Sequence, residues 1–125
     1  MFVVSKRLVA DVEPTQYLPG ADGLTLGSAA VMTSGALAKC GATAKPDYII
    51  QGPKNTDGNY PVIAVLPTTQ FETKASATVA TTVIGSAVTL DTDALGVTAT
   101  TESGVFTVEM TDAAAGGGVV RGRFK

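Results

Sequence analysis

The plainest pattern along the chain is the alternation in "GVFTVEM", residues 104–110. Phe106, Val108 and Met110 fall on one side, and Val105, Thr107 and Glu109 on the other. Successive side chains of a strand point to opposite faces, so this period of two predicts a half-buried β-strand. The same signature runs through the last third of the chain. "SAVTL" reads as a strand, "DTDALG" as a turn, "VTATT" as a strand, "ESG" as a turn, "TDAAAGGG" as a loop and "VVRGRF" as a closing strand. Turns spaced roughly ten residues apart predict a meander of short antiparallel strands.

Upstream, "PDYIIQG" and "YPVIAVLP" read as two strands joined across "NTDGNY", where Asp57-Gly58 is a strong turn pair. Pro61 stands near the start of the second strand, where the ladder has barely begun and a missing donor is tolerated. "LTLGSAAVM" and "ALAKCG" flank Thr33-Ser34-Gly35, which suits a hairpin loop with glycine in the left-handed region. Ala and Leu are also good helix formers, so "SGALAKCG" has a second reading as one short helical turn. Thr and Val favour extended chain over Thr69 to Thr73, and residues 74–78 read as a flexible stretch or a sub-domain boundary.

Residues 1–22 contain Pro14 and Pro19, which remove backbone donors and disfavour helix just before them. They read as an extended N-terminal arm dotted with Phe2, Val3, Val4, Leu8, Val9, Tyr17 and Leu18. Such an arm is either a docking element for a partner or a source of edge strands for its own domain. Residues 23–125 form the β domain. The fold expected is all-β: a small antiparallel sandwich or barrel-like meander of short strands.

Composition sharpens this picture. The chain has 125 residues, enough for one domain with a modest core. Aromatics are 6% and Trp is absent, so the apolar content is mainly Ala and Val, with little hydrophobic gain per strand. Charged residues are only 16% and mean hydropathy is +0.27. A chain with so little water-facing charge is expected to cover part of its surface with copies of itself or a partner. Net charge is −2, and the cations sit in small groups, Lys6-Arg7 and Arg121, Arg123, Lys125. That excludes the broad basic footprint needed to neutralise nucleic-acid phosphates. No apolar run approaches the roughly 20 residues of a membrane span, and "MFVVSKRLVADV" lacks the features of a secretory signal.

Candidate chemistry is sparse. There is no histidine, so the usual general base at neutral pH and every Ser-His or Cys-His pair are missing. Cys40 stands alone; it reads as a small half-buried thiol, and no disulfide can form within the chain. Asp91 and Asp93 in "LDTDALG" start like a calcium loop but lack its later acidic positions, and bonding to nearby backbone amides explains both. "AAAGGG" lacks the Lys-Ser/Thr that follows a phosphate cradle and reads as a hairpin tip. No catalytic group, cofactor site or metal site is expected.

With "GLTLGSAAVMTSGALAKCGATAKPDYIIQG" ahead of "YPVIAVLP", the chain resembles the head decoration proteins of tailed phages. The closing "VTLDTDALGVTATTESGVFTVEM", with "GGGVVRGRF" after it, is similar to small phage structural proteins from Gram-positive hosts. The resemblance implies a structural virion protein, made in the host cytoplasm, that sits on the outer capsid surface. It implies binding across major capsid subunits after shell expansion, often as a trimer, without nucleic acid or membrane as partner. It implies that residues 1–22 pair with capsid strands, with Phe2, Val3, Val4, Leu8, Tyr17 and Leu18 as anchors. The alternative is a head-fibre or tail-tip binding module that recognises a host surface.

Overall fold

The computed structural model describes residues 1–9, 12–115 and 118–125. Ala10 and Asp11 in the expected arm, and Gly116 and Gly117 in the expected hairpin tip, lie outside the described residues. Ten strands form: β1 (Val3–Arg7), β2 (Gln16–Pro19), β3 (Ala29–Thr33), β4 (Ala36–Lys39), β5 (Tyr48–Ile50), β6 (Asn59–Ala64), β7 (Thr69–Lys74), β8 (Ala87–Val88), β9 (Phe106–Thr111) and β10 (Val119–Phe124). They assemble into two five-stranded antiparallel sheets, ordered β1-β7-β10-β9-β8 and β2-β6-β5-β3-β4. The all-β antiparallel class expected from the alternation is what the chain adopts.

Local chemistry sets the turns. β3 and β4 join through Ser34 and Gly35, both at positive φ (51° and 81°), with Thr33 paired to Ala36. This is a two-residue hairpin of the kind whose twist matches its strands, and "ALAK" of "ALAKCG" is strand rather than helical turn. β5 and β6 pair across the Asn55–Gly58 turn. The Asn55 side-chain oxygen accepts the N–H groups of Asp57 (3.0 Å) and Asn59 (2.9 Å), so it replaces backbone partners inside the turn. "VTATT" forms no full strand. Val97 bridges Leu90 and Ala75, and Thr89 exchanges backbone bonds with Thr98 and Thr100.

The main core lies between the sheets. Phe71, Phe106, Val108, Val120 and Phe124 of the first sheet meet Ala29, Ile49 and Ile63 of the second. A second cluster, Ala30, Leu37, Ile50, Tyr60 and Val62, fills the other side of the second sheet. Neighbours along a strand, such as Ala29 and Ala30 or Ile49 and Ile50, therefore serve different cores, as strand alternation requires. The second sheet curls until its edges meet: Gly20, after β2, bridges Leu37 of β4, and the Ala21 N–H donates to the Leu37 carbonyl at 3.1 Å. Glycine is required there, because a Cβ at position 20 would stand 2.9 Å from the Leu37 Cβ and 3.0 Å from the Tyr60 ring.

Two expectations need correction. Residues 74–78 mark no boundary: Ala75 is buried in the main core, its N–H donates to the Gly118 carbonyl, and the Ser76 N–H donates to the Val97 carbonyl. Residues 1–22 are not set apart from the β domain. β1 lies against β7 in the first sheet, and β2 lies against β6 in the second, so the edge-strand reading describes them. The physical reason is Phe2, whose ring is 1% exposed and packs against Phe106 and Phe124 with centroids 5.8 and 5.2 Å away.

Candidate docking surface

β1 carries the candidate surface, and alternation sorts its side chains. Val4 lies opposite the buried Phe71 and packs on the main core, whereas Val3 lies opposite Glu72 on the outer face and is 41% exposed. The register shifts between Val4 and Lys6, a bulge that leaves Ser5 without an opposite residue. Beyond the strand, Leu8 is 52% exposed, and its N–H donates back to the Thr68 carbonyl at 2.8 Å.

The chain then crosses from the first sheet to the second. Arg7 closes the base of that crossing with a two-pronged ion pair: Nε donates to Glu13 Oε2 at 3.0 Å and Nη2 to Oε1 at 2.8 Å. The Glu13 side chain is 4% exposed. The guanidinium bonds hold its carboxyl below the ordinary carboxylate range, against the opposing pull of burial. The same bonds raise Arg7. Between these residues the loop presents Leu8, Val9 and Val12 to solvent. Tyr17 follows on β2, also exposed, while Leu18 turns toward the second core.

Of the six expected anchors, Val3, Leu8 and Tyr17 are exposed, Val4 and Leu18 are partly buried against the cores, and Phe2 is a core residue. Val12 and the Arg7–Glu13 clamp were not among the expected site residues. Opposite charges six positions apart are the signal that points to the clamp.

The outer face of the first sheet is polar. Arg121 Nε donates to Glu72 at 2.8 Å, Arg123 Nε to Glu109 at 3.0 Å, and Gln70 Nε2 to Glu109 at 3.1 Å. At its margin Met1, Val3 and Val119 line a shallow, mainly apolar groove of ≈ 190 Å³, with Glu72, Thr73 and Lys74.

The remaining candidates are structural. Burial pushes the Cys40 thiol up to about 11, with a smaller contribution from the Asp47 charge, and its Sγ donates to the Ala44 carbonyl. A thiol so rarely ionised is a poor nucleophile. Asp93 accepts the Leu95 N–H at 2.9 Å, the turn role expected of it. Among the described residues no three His, Cys, Asp or Glu side chains gather to hold a metal ion, and no helix is long and apolar enough to cross a membrane. No protein-family model, curated protein or solved structure matches the chain.

Proposed function

We propose that the chain is a structural virion protein that decorates and stabilises the outer surface of a phage capsid by binding across major capsid subunits. One observation carries the reading: Val9 and Val12 stand exposed beside Leu8 on a loop whose base is clamped by the ion pair of half-buried Arg7 with buried Glu13. Exposing aliphatic side chains opposes the hydrophobic effect unless a partner covers them. Burying a carboxylate to hold such a loop costs desolvation that a mere connection does not need. Each contact is small, and repetition around a shell multiplies it.

The host-surface alternative draws less support. Stacking against sugars needs exposed rings, yet Tyr60 and all four phenylalanines are buried, which leaves Tyr17 as the most exposed aromatic among the described residues.

The test uses two surface substitutions in the full chain, Val12→Asp with Tyr17→Ser, neither of which touches a core. The unmodified chain is expected to cosediment with expanded shells of the phage that encodes it. The double variant is expected to keep its circular dichroism spectrum and lose at least tenfold in shell affinity. Unmodified chain that stays in the supernatant, or that sediments only with tails, overturns the proposal.

A further inference from the structure

We infer that the outer edge of β1 pairs with the same edge of a second copy, antiparallel about a two-fold axis. The inference goes beyond the capsid reading and does not rest on it.

The argument begins with where exposed apolar surface lies. Nine large hydrophobic residues are exposed among the described residues, and Met1, Val3, Leu8, Val9 and Val12 stand on β1 or within five residues of its end. β1 is also a terminal strand of its sheet. The second sheet has no such open flank, since β2 and β4 meet at the Gly20–Leu37 bridge. At the other end of the first sheet, Val97 and Thr98 cover the chain just beyond β8.

The backbone of β1 suits a copy of itself. The Phe2 N–H turns away from β7 to the Gly27 carbonyl, while the Leu8 N–H turns toward β7 to Thr68. By alternation, Val4 and Arg7 direct their N–H and C=O groups away from β7. An antiparallel copy that sets Val4 opposite the second copy's Arg7, and Arg7 opposite its Val4, satisfies all of these groups at once.

The side chains follow the same register. It brings Val3 opposite the second copy's Leu8. Five positions separate Val3 from Leu8, so a regular strand would send them to opposite faces. The bulge at Ser5 restores them to one face, the outer one, where Val3 borders the groove with Met1 and Val119. Leu8 is thus a knob at one end of the edge, and the groove is a socket at the other. An antiparallel copy seats each knob in the opposite socket, the self-complementary arrangement a two-fold interface requires. Leu8 is covered within the pair, and Val12 and Tyr17 remain outside it. The two Lys6 side chains meet near the axis, so repulsion opposes the pair and salt screens it.

The pair is small, so association belongs to the weak class of interfaces. Sedimentation equilibrium of the full chain, from micromolar to millimolar concentration, is expected to fit a monomer–dimer equilibrium. Added salt or Lys6→Ser tightens it, and Leu8→Asp weakens it at least tenfold. A covalent readout stands independently of Leu8→Asp folding. The Val3→Cys, Leu8→Cys double variant places two cysteines opposite each other, within the roughly 4.4–6.8 Å Cα separation a disulfide spans. Mild oxidation is expected to give a linked dimer, and neither single variant should link. A chain monomeric throughout, a trimer, association that salt weakens, or linkage by a single variant overturns the inference. A monomer that still binds shells overturns it alone and leaves the capsid proposal standing.

Discussion

All four phenylalanines lie on the side of the first sheet, and the second sheet has none. Phe124 sits at the centre of that cluster, with Phe2, Phe71 and Phe106 rings at 5.2, 5.5 and 5.1 Å. Large rings reach across an open sheet and fill its inner face from a few positions. The second sheet fills its own interior with Ala30, Leu37, Ile50, Val62 and Tyr60. There the backbone also closes the distance: the sheet curls, and Gly20 lets the chain after β2 approach Leu37 of β4 and the Tyr60 ring. One region is held by side-chain volume and the other by backbone approach. The crossing clamped by Arg7 and Glu13 joins them.

Substitutions at each kind of site break or sharpen this contrast. Phe124→Ala removes the ring shared by the whole cluster and is expected to cost about 3–5 kcal/mol in denaturant unfolding, the largest effect. Loss below about 1 kcal/mol would refute a first sheet held by ring volume. Gly20→Ala forces a Cβ against Leu37 and Tyr60; overpacking of this kind costs about 2 kcal/mol. Amide exchange should then rise along β2 and β4 before it rises along β10. Equal acceleration in both sheets would remove the distinction.

Glu13→Gln tests the tie between the sheets and is expected to cost about 2 kcal/mol at neutral pH, the range for hydrogen bonds to charged groups. The folded state holds the Glu13 carboxyl below its ordinary value of 4.5, so it favours the charged form. That contribution is complete above the ordinary value and disappears as pH falls through the lowered one. The stability difference between the two proteins should therefore shrink on acidification below about pH 4.5, measured by urea melts. Asp22 and Asp112 are lowered too and titrate in both proteins, so the difference isolates Glu13. The smallest effect is expected from Tyr60→Phe, which removes the 2.8 Å bond from the Tyr60 hydroxyl to the Ala21 carbonyl for about 1 kcal/mol.

Much of this fold was legible in the residues wherever the cause was local. Ser34-Gly35 and Gly58 mark turns because few residues accept their backbone angles, and the period of β9 places Phe106 and Val108 in the core. It misplaces Val105, which is buried in the same core, and Met110, which a register shift sets opposite the outer-face Arg121. Features joining distant residues were not legible. Nothing near Gly20 announces Leu37, and nothing near "VTATT" announces that Val97 bridges Leu90 and Ala75. The first twelve residues show the deeper difficulty. Phe2 and Val3 are both apolar, yet one fills the core and the other faces water. Hydrophobicity states that a side chain needs cover and is silent on whether its own fold or another molecule supplies it.

The ring closure of the second sheet has a consequence for solubility. A chain rich in Thr, Val and Ala, with little charge, is the composition from which open-ended fibres stack. Stacking needs two free flanks, one to receive a neighbour and one to offer to the next. A sheet bent back on itself at Gly20 and Leu37 offers neither, so among the described strands the flanks left for a neighbour are those of the first sheet, at β1 and β8. Stacking cannot run on through the second sheet, and half of the strands are withheld from it.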